Sequence, residues 1–522
     1  MKIGILINSF KVTRFYKNLI DELSLIVGIE LYFIVLNRKV TYSKKNILFS
    51  QIPFAMYMRL ERKLSPVKNY PLDTVVLDKN LAKEIFIFEN IHSNNYSELS
   101  ETDINLLKQI NFDILFRVGW GIIKGQVLNI ANNGIWSLHH GDNDYYRGKP
   151  ALFWEYYEKK EMVGAILQQL SDKLDGGTII DKLYTKVNKY YITKGYHDVY
   201  YKSLEMVLDN IKYLIEHNDT KSYSYDFRIY SNKIYKDPNI FQQFNLIIQL
   251  TFKNVFRLFN KSKMNWEILI AFSRNKELIY RYKTIKNKKG FFSADPFLFE
   301  NENKNYIFYE EAPLKSGFGH ISYLNCEEHN DRGIALKESF HLSFPNIFKD
   351  NGIIYMIPET RNSNSIRLYK CDQFPNKWLF DKTLLENIST TDSEIFFNKG
   401  VYYLFTNVNK NKYLTNADCL YLYFSDTLKG EYLPHPQNPI TRDARFSRMG
   451  GKVFTINNIN YRVAQNETNG YGSGISILKI NKINKEEYSE KLVQTIEASS
   501  IKKDRFHTFN FNNKYSVIDA IR

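Results

Sequence analysis

The chain has 522 residues, 44% of them hydrophobic and 24% charged, which excludes a disordered chain and gives length enough for two or three folded domains. A net charge of +15 invites nucleic acid as a partner. The basic residues are scattered, however, and no recognition helix or RNA-binding motif accompanies them, so no nucleic-acid partner is expected; an anionic small molecule or an acidic membrane surface fits better. Cys326, Cys371 and Cys419 form no CxxC pair, which fits a reducing cytoplasm and argues against a structural zinc site; no metal is expected.

The apolar start, Lys2–Ile7, is too short for a signal peptide and reads as a buried first strand. No run of about 18 apolar residues exists, so no membrane span is expected and the chain reads as soluble and cytoplasmic. A helical pattern over Tyr16–Leu25 leads to a second strand at Glu30–Leu36, and Asp113–Val118, Gly134–Leu138, Gly164–Leu170 and Thr178–Leu183 follow. Strands alternating with helices over residues 1–225 predict an α/β, Rossmann-like domain with a largely parallel sheet, whose ligands sit beyond the carboxyl ends of its strands. Residues 226–265 read as a helical linker. Within them Phe241–Phe259 is apolar at helical spacing, with Lys253, Arg257 and Lys261 among or after the apolar positions. That helix suits packing between domains, or peripheral contact with anionic lipid.

Residues 266–522 repeat a pattern: Phe299, Phe348, Phe397, Phe454 and Phe511 each precede a polar turn and then an apolar strand containing tyrosine. The anchors lie 49, 49, 57 and 57 residues apart. A hairpin recurring at that interval predicts the blades of an all-β propeller, here five-bladed, with a strand near Leu278–Tyr282 expected to close the ring.

Gly134–Ile180 is the stretch of the first half richest in chemistry. A strand ends at Leu138, and His139, His140, Asp142, Asn143 and Asp144 follow before Arg147-Gly148; a tight Leu174-Asp175-Gly176-Gly177 turn comes after the next strand. An imidazole on one loop and a carboxylate on another suit acyl transfer to an amine, one stabilising an oxyanion and the other removing a proton. His140 reads as a loop hydrogen-bonder, and Trp136 and Trp154 as core.

Ser137-Leu138-His139, Arg147-Gly148 and Leu174-Asp175-Gly176-Gly177 together resemble the folate-dependent formyltransferases. The resemblance implies His139 as the group that polarises or protonates the transferring carbonyl and Asp175 as a group that helps take the proton from the attacking amine. It implies N10-formyltetrahydrofolate as donor, and Arg147 and Gly176 as substrate-binding positions. Ser137 stands where the family has an amide, and one hydroxyl replaces an amide imperfectly; Asn143 is the candidate substitute. Asp142 and Asp144 could pair with a substrate ammonium.

In the second half, SADPFLFE, FHLSFPNIFKDNGIIYMIPET, PHPQNPI, SRMGGKVF, YRVAQNETNGYG and HTFN resemble the N-terminal domain of plant glucosamine inositolphosphorylceramide transferases. This implies glycan or glycolipid handling without assigning catalysis here. Carboxylates gathered at a propeller mouth also serve glycosidases. By position Asp295, Asp392 and Glu359 are the candidates, with Glu310 and Glu394 behind them, and Arg448, Arg462 and Gln465 are candidate ligands for a sugar or phosphate. The leading expectation is an enzyme that transfers a formyl group to the amine of a nucleotide- or lipid-linked amino sugar in surface-glycan synthesis. The alternative is a glycan-binding or glycosidase-like propeller with a degenerate or repurposed, non-folate transferase domain.

Overall fold

The structure is a computed structural model that describes residues 1–37, 52–90, 96–172, 177–220, 233–259, 265–272, 282–410, 412–414 and 419–521. The chain divides into two compact units, Met1–Lys261 and Ser262–Arg522.

The first unit is built on strands β1 (Lys2–Ile7), β2 (Glu30–Asn37), β3 (Glu84–Glu89), β4 (Ile114–Arg117), β5 (Ile135–His139), β6 (Met162–Gln169) and β7 (Thr178–Lys186). They form one seven-stranded sheet in the order β7-β6-β5-β4-β1-β2-β3. The five strands from β5 to β3 are parallel, whereas β6 runs antiparallel to both β5 and β7. The sheet is therefore mixed, and the largely parallel expectation holds for five strands. Near-continuous burial of β1 and β2 is what strands covered on both faces require.

The described helices are α1 (Arg14–Ser24), α2 (Ile52–Leu64), α3 (Glu101–Ile110), α4 (Phe153–Tyr157), α5 (Ile192–His217) and α6 (Ile240–Phe259). α6 belongs to the first unit, and its buried Gln243 accepts a hydrogen bond from the Phe54 N–H of α2 at 3.1 Å. α5 begins without a cap from its own N-cap residue, Tyr191. Glu61 of α2 supplies the cap instead, accepting from the Ile192 and Thr193 N–H groups at 3.0 and 2.8 Å and from the Tyr57 hydroxyl at 3.1 Å. A buried carboxylate at a helix N-terminus satisfies orphan donors and opposes the helix dipole.

The second unit contains five blades, each with four strands in sheet order. Phe299, Phe348 and Phe397 lie on the first strands of their blades, Phe454 on a short fifth strand of the fourth blade (Phe454–Ile456) and Phe511 on the strand Phe509–Phe511 of the last. Four of the five face a tyrosine across the hairpin: Phe299 and Tyr306, Phe348 and Tyr355, Phe397 and Tyr402, Phe454 and Tyr461. Such cross-strand aromatic pairs stabilise a sheet and fix its register; the Phe454 and Tyr461 rings stack at 5.3 Å. The repeat is thus a hairpin signal, and the second unit is a five-bladed propeller. Its ring closes by pairing Glu267–Phe272 with Tyr515–Ala520, which puts an early strand into the last blade. That strand lies upstream of the Leu278–Tyr282 segment expected to close it, of which 278–281 fall outside the described residues.

The cap of α5 gives a stability prediction. Glu61→Ala leaves two buried N–H groups unsatisfied and is expected to destabilise the first unit by about 1–3 kcal/mol; Glu61→Gln, which still accepts, loses less. Denaturant unfolding of both variants checks the order.

Candidate functional site

In the first unit, the groups singled out beyond β5 are drawn into internal contacts. The Ser137 hydroxyl accepts from Arg117 Nε at 2.9 Å, and His139 Nε2 lies 3.2 Å from the Tyr146 carbonyl. His140 stacks on Tyr200 at 3.6 Å, and burial together with His139 pushes its pKa down to about 3, so it is neutral. Asp142 and Asp144 hold the same ammonium, Lys182 Nζ, at 2.6 and 3.0 Å, and Asp142 also accepts from the Tyr184 hydroxyl at 2.7 Å. These two aspartates therefore already have a cation, one supplied by β7, in place of a substrate ammonium. Asn143 is fully buried, with Nδ2 3.5 Å from Gln168 Oε1 and Oδ1 unpartnered among the described residues. Arg147 is buried, and Arg147-Gly148 pairs with Ile234-Tyr235. A Cβ at Gly148 would meet the Tyr235 carbonyl at 2.1 Å, so glycine is required by that close approach. Asp175 and Gly176 lie outside the described residues.

The propeller axis gathers more chemistry. On the first strands of the first three blades, Phe291–Asn301, Ser343–Asp350 and Thr390–Asn398, the register shifts at the same point. There Asp295, Phe344 and Asp392 take positive φ, at 51°, 44° and 52°. The bulge re-aims these side chains, and aspartate tolerates the left-handed region better than most residues. Asp295 Oδ1 accepts from the Thr508 hydroxyl at 3.0 Å and lies 3.1 Å from His507 Nε2, while Oδ2 accepts from the Phe344 N–H at 3.2 Å. His507 Nδ1 lies 3.1 Å from Asp519 Oδ2, and the Tyr471 hydroxyl is 2.7 Å from His507 Nε2. On the third blade Asp392 Oδ2 accepts from Arg448 Nε at 2.8 Å and Gln465 Nε2 at 3.1 Å. Arg448 also reaches Glu467 at 3.3 Å. Glu359, at the end of the second strand of blade two, accepts the Asp392 N–H at 3.2 Å. Behind this layer Glu394 accepts from Asn346 and from the Val453 N–H at 3.2 Å.

The electrostatics divide these groups. Burial and the neighbouring Asp392 carboxylate push Glu359 up to about 8, so it carries a proton at neutral pH. Burial also raises Asp392, opposed by the Arg448 guanidinium bonded to it, which favours the carboxylate. His507 is raised to about 10 because Asp519 and Asp295 outweigh the desolvation of its cation. Asp295, His507 and Asp519 bring ligand-type atoms within 4.8 Å of one another, and the imidazolium itself is the cation between the two carboxylates. Burial raises Glu310, with the Asp295 charge adding to it, while His341 at 3.3 Å opposes both. Solvent reaches Tyr471 at 38% exposure, whereas Asp295 and Asp392 are 5% and 3% exposed; Glu359 and Arg448 lie between these extremes. The mouth is therefore lined by a neutral acid, a guanidinium and a phenol above the buried Asp295 and Asp392.

Asp295, Glu359 and Asp392 thus converge as their blade positions suggested, and Arg448 and Gln465 join them through Asp392. Arg462 does not. It is fully buried, bonds Glu490 at 2.6 Å and 2.8 Å, and donates to the Phe446 carbonyl, so it braces the fourth blade and has no face for a ligand. Sequence reasoning passed over His507, Asp519, Glu467 and Tyr471, although His507 opens the HTFN segment and Glu467 and Tyr471 lie in YRVAQNETNGYG.

Residues 281–518 match the family model for the N-terminal domain of glucosamine inositolphosphorylceramide transferase 1. The protein of that name from Arabidopsis thaliana is 34% identical over 215 residues, covering 40% of this chain and 28% of its own length. The protein from Oryza sativa subsp. japonica is 32% identical over 236 residues, 44% of this chain and 31% of its own length. The chain thus spans less than a third of the length of these relatives. Among solved structures, Zg3597, a family 117 glycoside hydrolase from Zobellia galactanivorans, shows 13% identity over 49% of this chain and 90% of its own, with a TM-score of 0.32. The Cellvibrio cellulosa alpha-L-arabinanase shows 15% identity over 38% of this chain and 76% of its own, with a TM-score of 0.29.

These matches overturn the expectation of a formyltransferase acting from N10-formyltetrahydrofolate on an amino sugar. The relatives that match are glucosamine inositolphosphorylceramide transferases, and the family match falls on the propeller. The resemblance that carried the expectation lay in three short motifs. In the structure the described groups of the first two, Ser137, His139 and Arg147-Gly148, have internal partners or are packed into the unit.

The raised pKa of His507 has a direct consequence for stability. Its contribution is full below the ordinary histidine value of 6.5 and is lost as pH rises through about 10. Propeller stability is therefore expected to fall between those values, and His507→Asn should be less stable at pH 6 with a flatter profile above it. Equilibrium unfolding at a series of pH values measures both.

Proposed function

We propose that the propeller recognises the sugar head of a glycolipid or related glycan at its axis, an amino sugar being the best fit. The observation that carries this is the convergence of Asp295, Glu359 and Asp392 from three successive blades. Protonated Glu359 is a hydrogen-bond donor to a sugar oxygen, and an amine reaching Asp295 or Asp392 would compete with the cation each already holds, His507 and Arg448. The names of the matched relatives, which join glucosamine to an inositolphosphorylceramide, support the same chemical class. Tyr471, exposed at the mouth and 5.4 Å from the Arg448 guanidinium, offers an aromatic face to a sugar ring. In this reading the first unit is a repurposed transferase domain, since Lys182 already occupies the two aspartates that would have met a substrate amine.

A second reading rests on Glu359 alone: a carboxyl raised to about 8 beside a carboxylate can protonate a glycosidic oxygen. Glu359→Gln separates the two. Calorimetry with glucosamine-containing glycans should show Glu359→Gln retaining affinity but losing its pH dependence near 8, and Asp392→Asn binding at least tenfold more weakly. If the propeller also cleaves, Glu359→Gln should lower turnover by about 10²–10⁴ without changing affinity. Equal affinity of wild type and Asp392→Asn for an amino sugar and its N-acetyl form would sink the recognition reading.

A further inference from the structure

Two helices of the first unit that touch one another, α2 and α6, both turn apolar side chains to solvent. On α6 Leu246 and Leu250 are buried, but Phe241, Phe244, Ile248 and Phe252 are 81%, 49%, 57% and 75% exposed. Their spacing of three and four residues places them along one face. On α2 Met56, Leu60 and Leu64 repeat every fourth residue and are 64%, 60% and 69% exposed. Isolated apolar residues on a surface need no explanation, but seven on two touching helices do.

Among the described residues, the exposed charges carried by the two helices themselves are basic. α6 contains no aspartate or glutamate, and its Lys253 is exposed. On α2, Arg59 and Lys63 are exposed beside the apolar stripe, and its one acidic residue, Glu61, is buried under the N-terminus of α5. A second copy of the chain would bring like charges together at such a face. An anionic bilayer takes both the phenylalanines and the cations. No described helix is long and apolar enough to cross a membrane.

We infer that α6, with α2 beside it, docks the first unit on the surface of an anionic bilayer, lying in the interface without crossing it. The inference stands independently of the propeller reading, because it needs no sugar.

Flotation of the full chain with vesicles tests it. Binding is expected to vesicles of phosphatidylcholine mixed with phosphatidylglycerol, weaker in high salt, and not to phosphatidylcholine alone. The double variant Phe244→Asp, Phe252→Asp should stay unbound, and Lys253→Glu should bind about fivefold or more weakly. Glu359→Gln should float like the wild type. Phe252→Trp, which leaves the stripe apolar, should shift its emission to the blue when anionic vesicles are added, and it decides the matter if the double variant fails to fold. A wild type that ignores anionic vesicles overturns the inference, as does a folded double variant that still floats. Self-association abolished by the double variant, without vesicle binding, overturns it too and assigns the face to a second copy.

Discussion

A ring of blades depends on its seam, and here a buried imidazolium lies across it. His507 of the last blade stands between Asp295 of the first and Asp519 of its own. Asp519 accepts in addition from the backbone N–H groups of Asp295, His507 and Thr508, each at 3.0 Å. Taking three charges out of water is expensive, and it is offset only when nearly every lone pair finds a donor, as here. The strand pairing of Glu267–Phe272 with Tyr515–Ala520 closes the ring through its backbone; the ionic cluster closes it at the axis. The candidate site is built on that closure, since Asp295 belongs to both.

The bulge that aims the axial residues is repeated, but its occupants differ. Blades one and three place aspartates there, while blade two places Phe344, whose ring meets Phe297 edge-on at 4.8 Å. An apolar plug in one blade and carboxylates on either side make the axis asymmetric. Blade two supplies its acid from the neighbouring strand, through Glu359. A fivefold scaffold thereby presents an unsymmetrical set of groups, which recognition of one face of a sugar requires.

The propeller was legible in the sequence because its signal is physical at short range: a phenylalanine, a turn and a facing tyrosine, repeated. Asp295, Glu359 and Asp392 were legible for the same reason, since position within a blade decides distance from the axis. Arg462 was misread because burial is a matter of partners, and Glu490, which neutralises it, lies two strands away across the sheet. His507 and Asp519 escaped notice because both meet Asp295 of the first blade, a contact between the two ends of the propeller that no local pattern records. In the first unit the alternation of strands and helices foretold the sheet but not the reversal of β6. The motif residues there could be compared with a family, yet nothing in the motif announced that Lys182 would reach back to Asp142 and Asp144.

The proton on Glu359 follows from a chain of dependencies. It is held by burial and by the neighbouring Asp392; Asp392 is itself raised by burial and lowered by the Arg448 guanidinium bonded to it; and Arg448 is oriented by Glu467 as well. Removing any member changes the protonation of the others, so the titration belongs to the cluster and not to one residue. A ligand ammonium entering beside Asp392 would compete with Arg448 for the same carboxylate and would favour loss of the Glu359 proton. Binding of a neutral sugar would not. If the axis binds an amino sugar as proposed, the ligand's charge would be felt twice, once by direct attraction and once through the state of the acid above it.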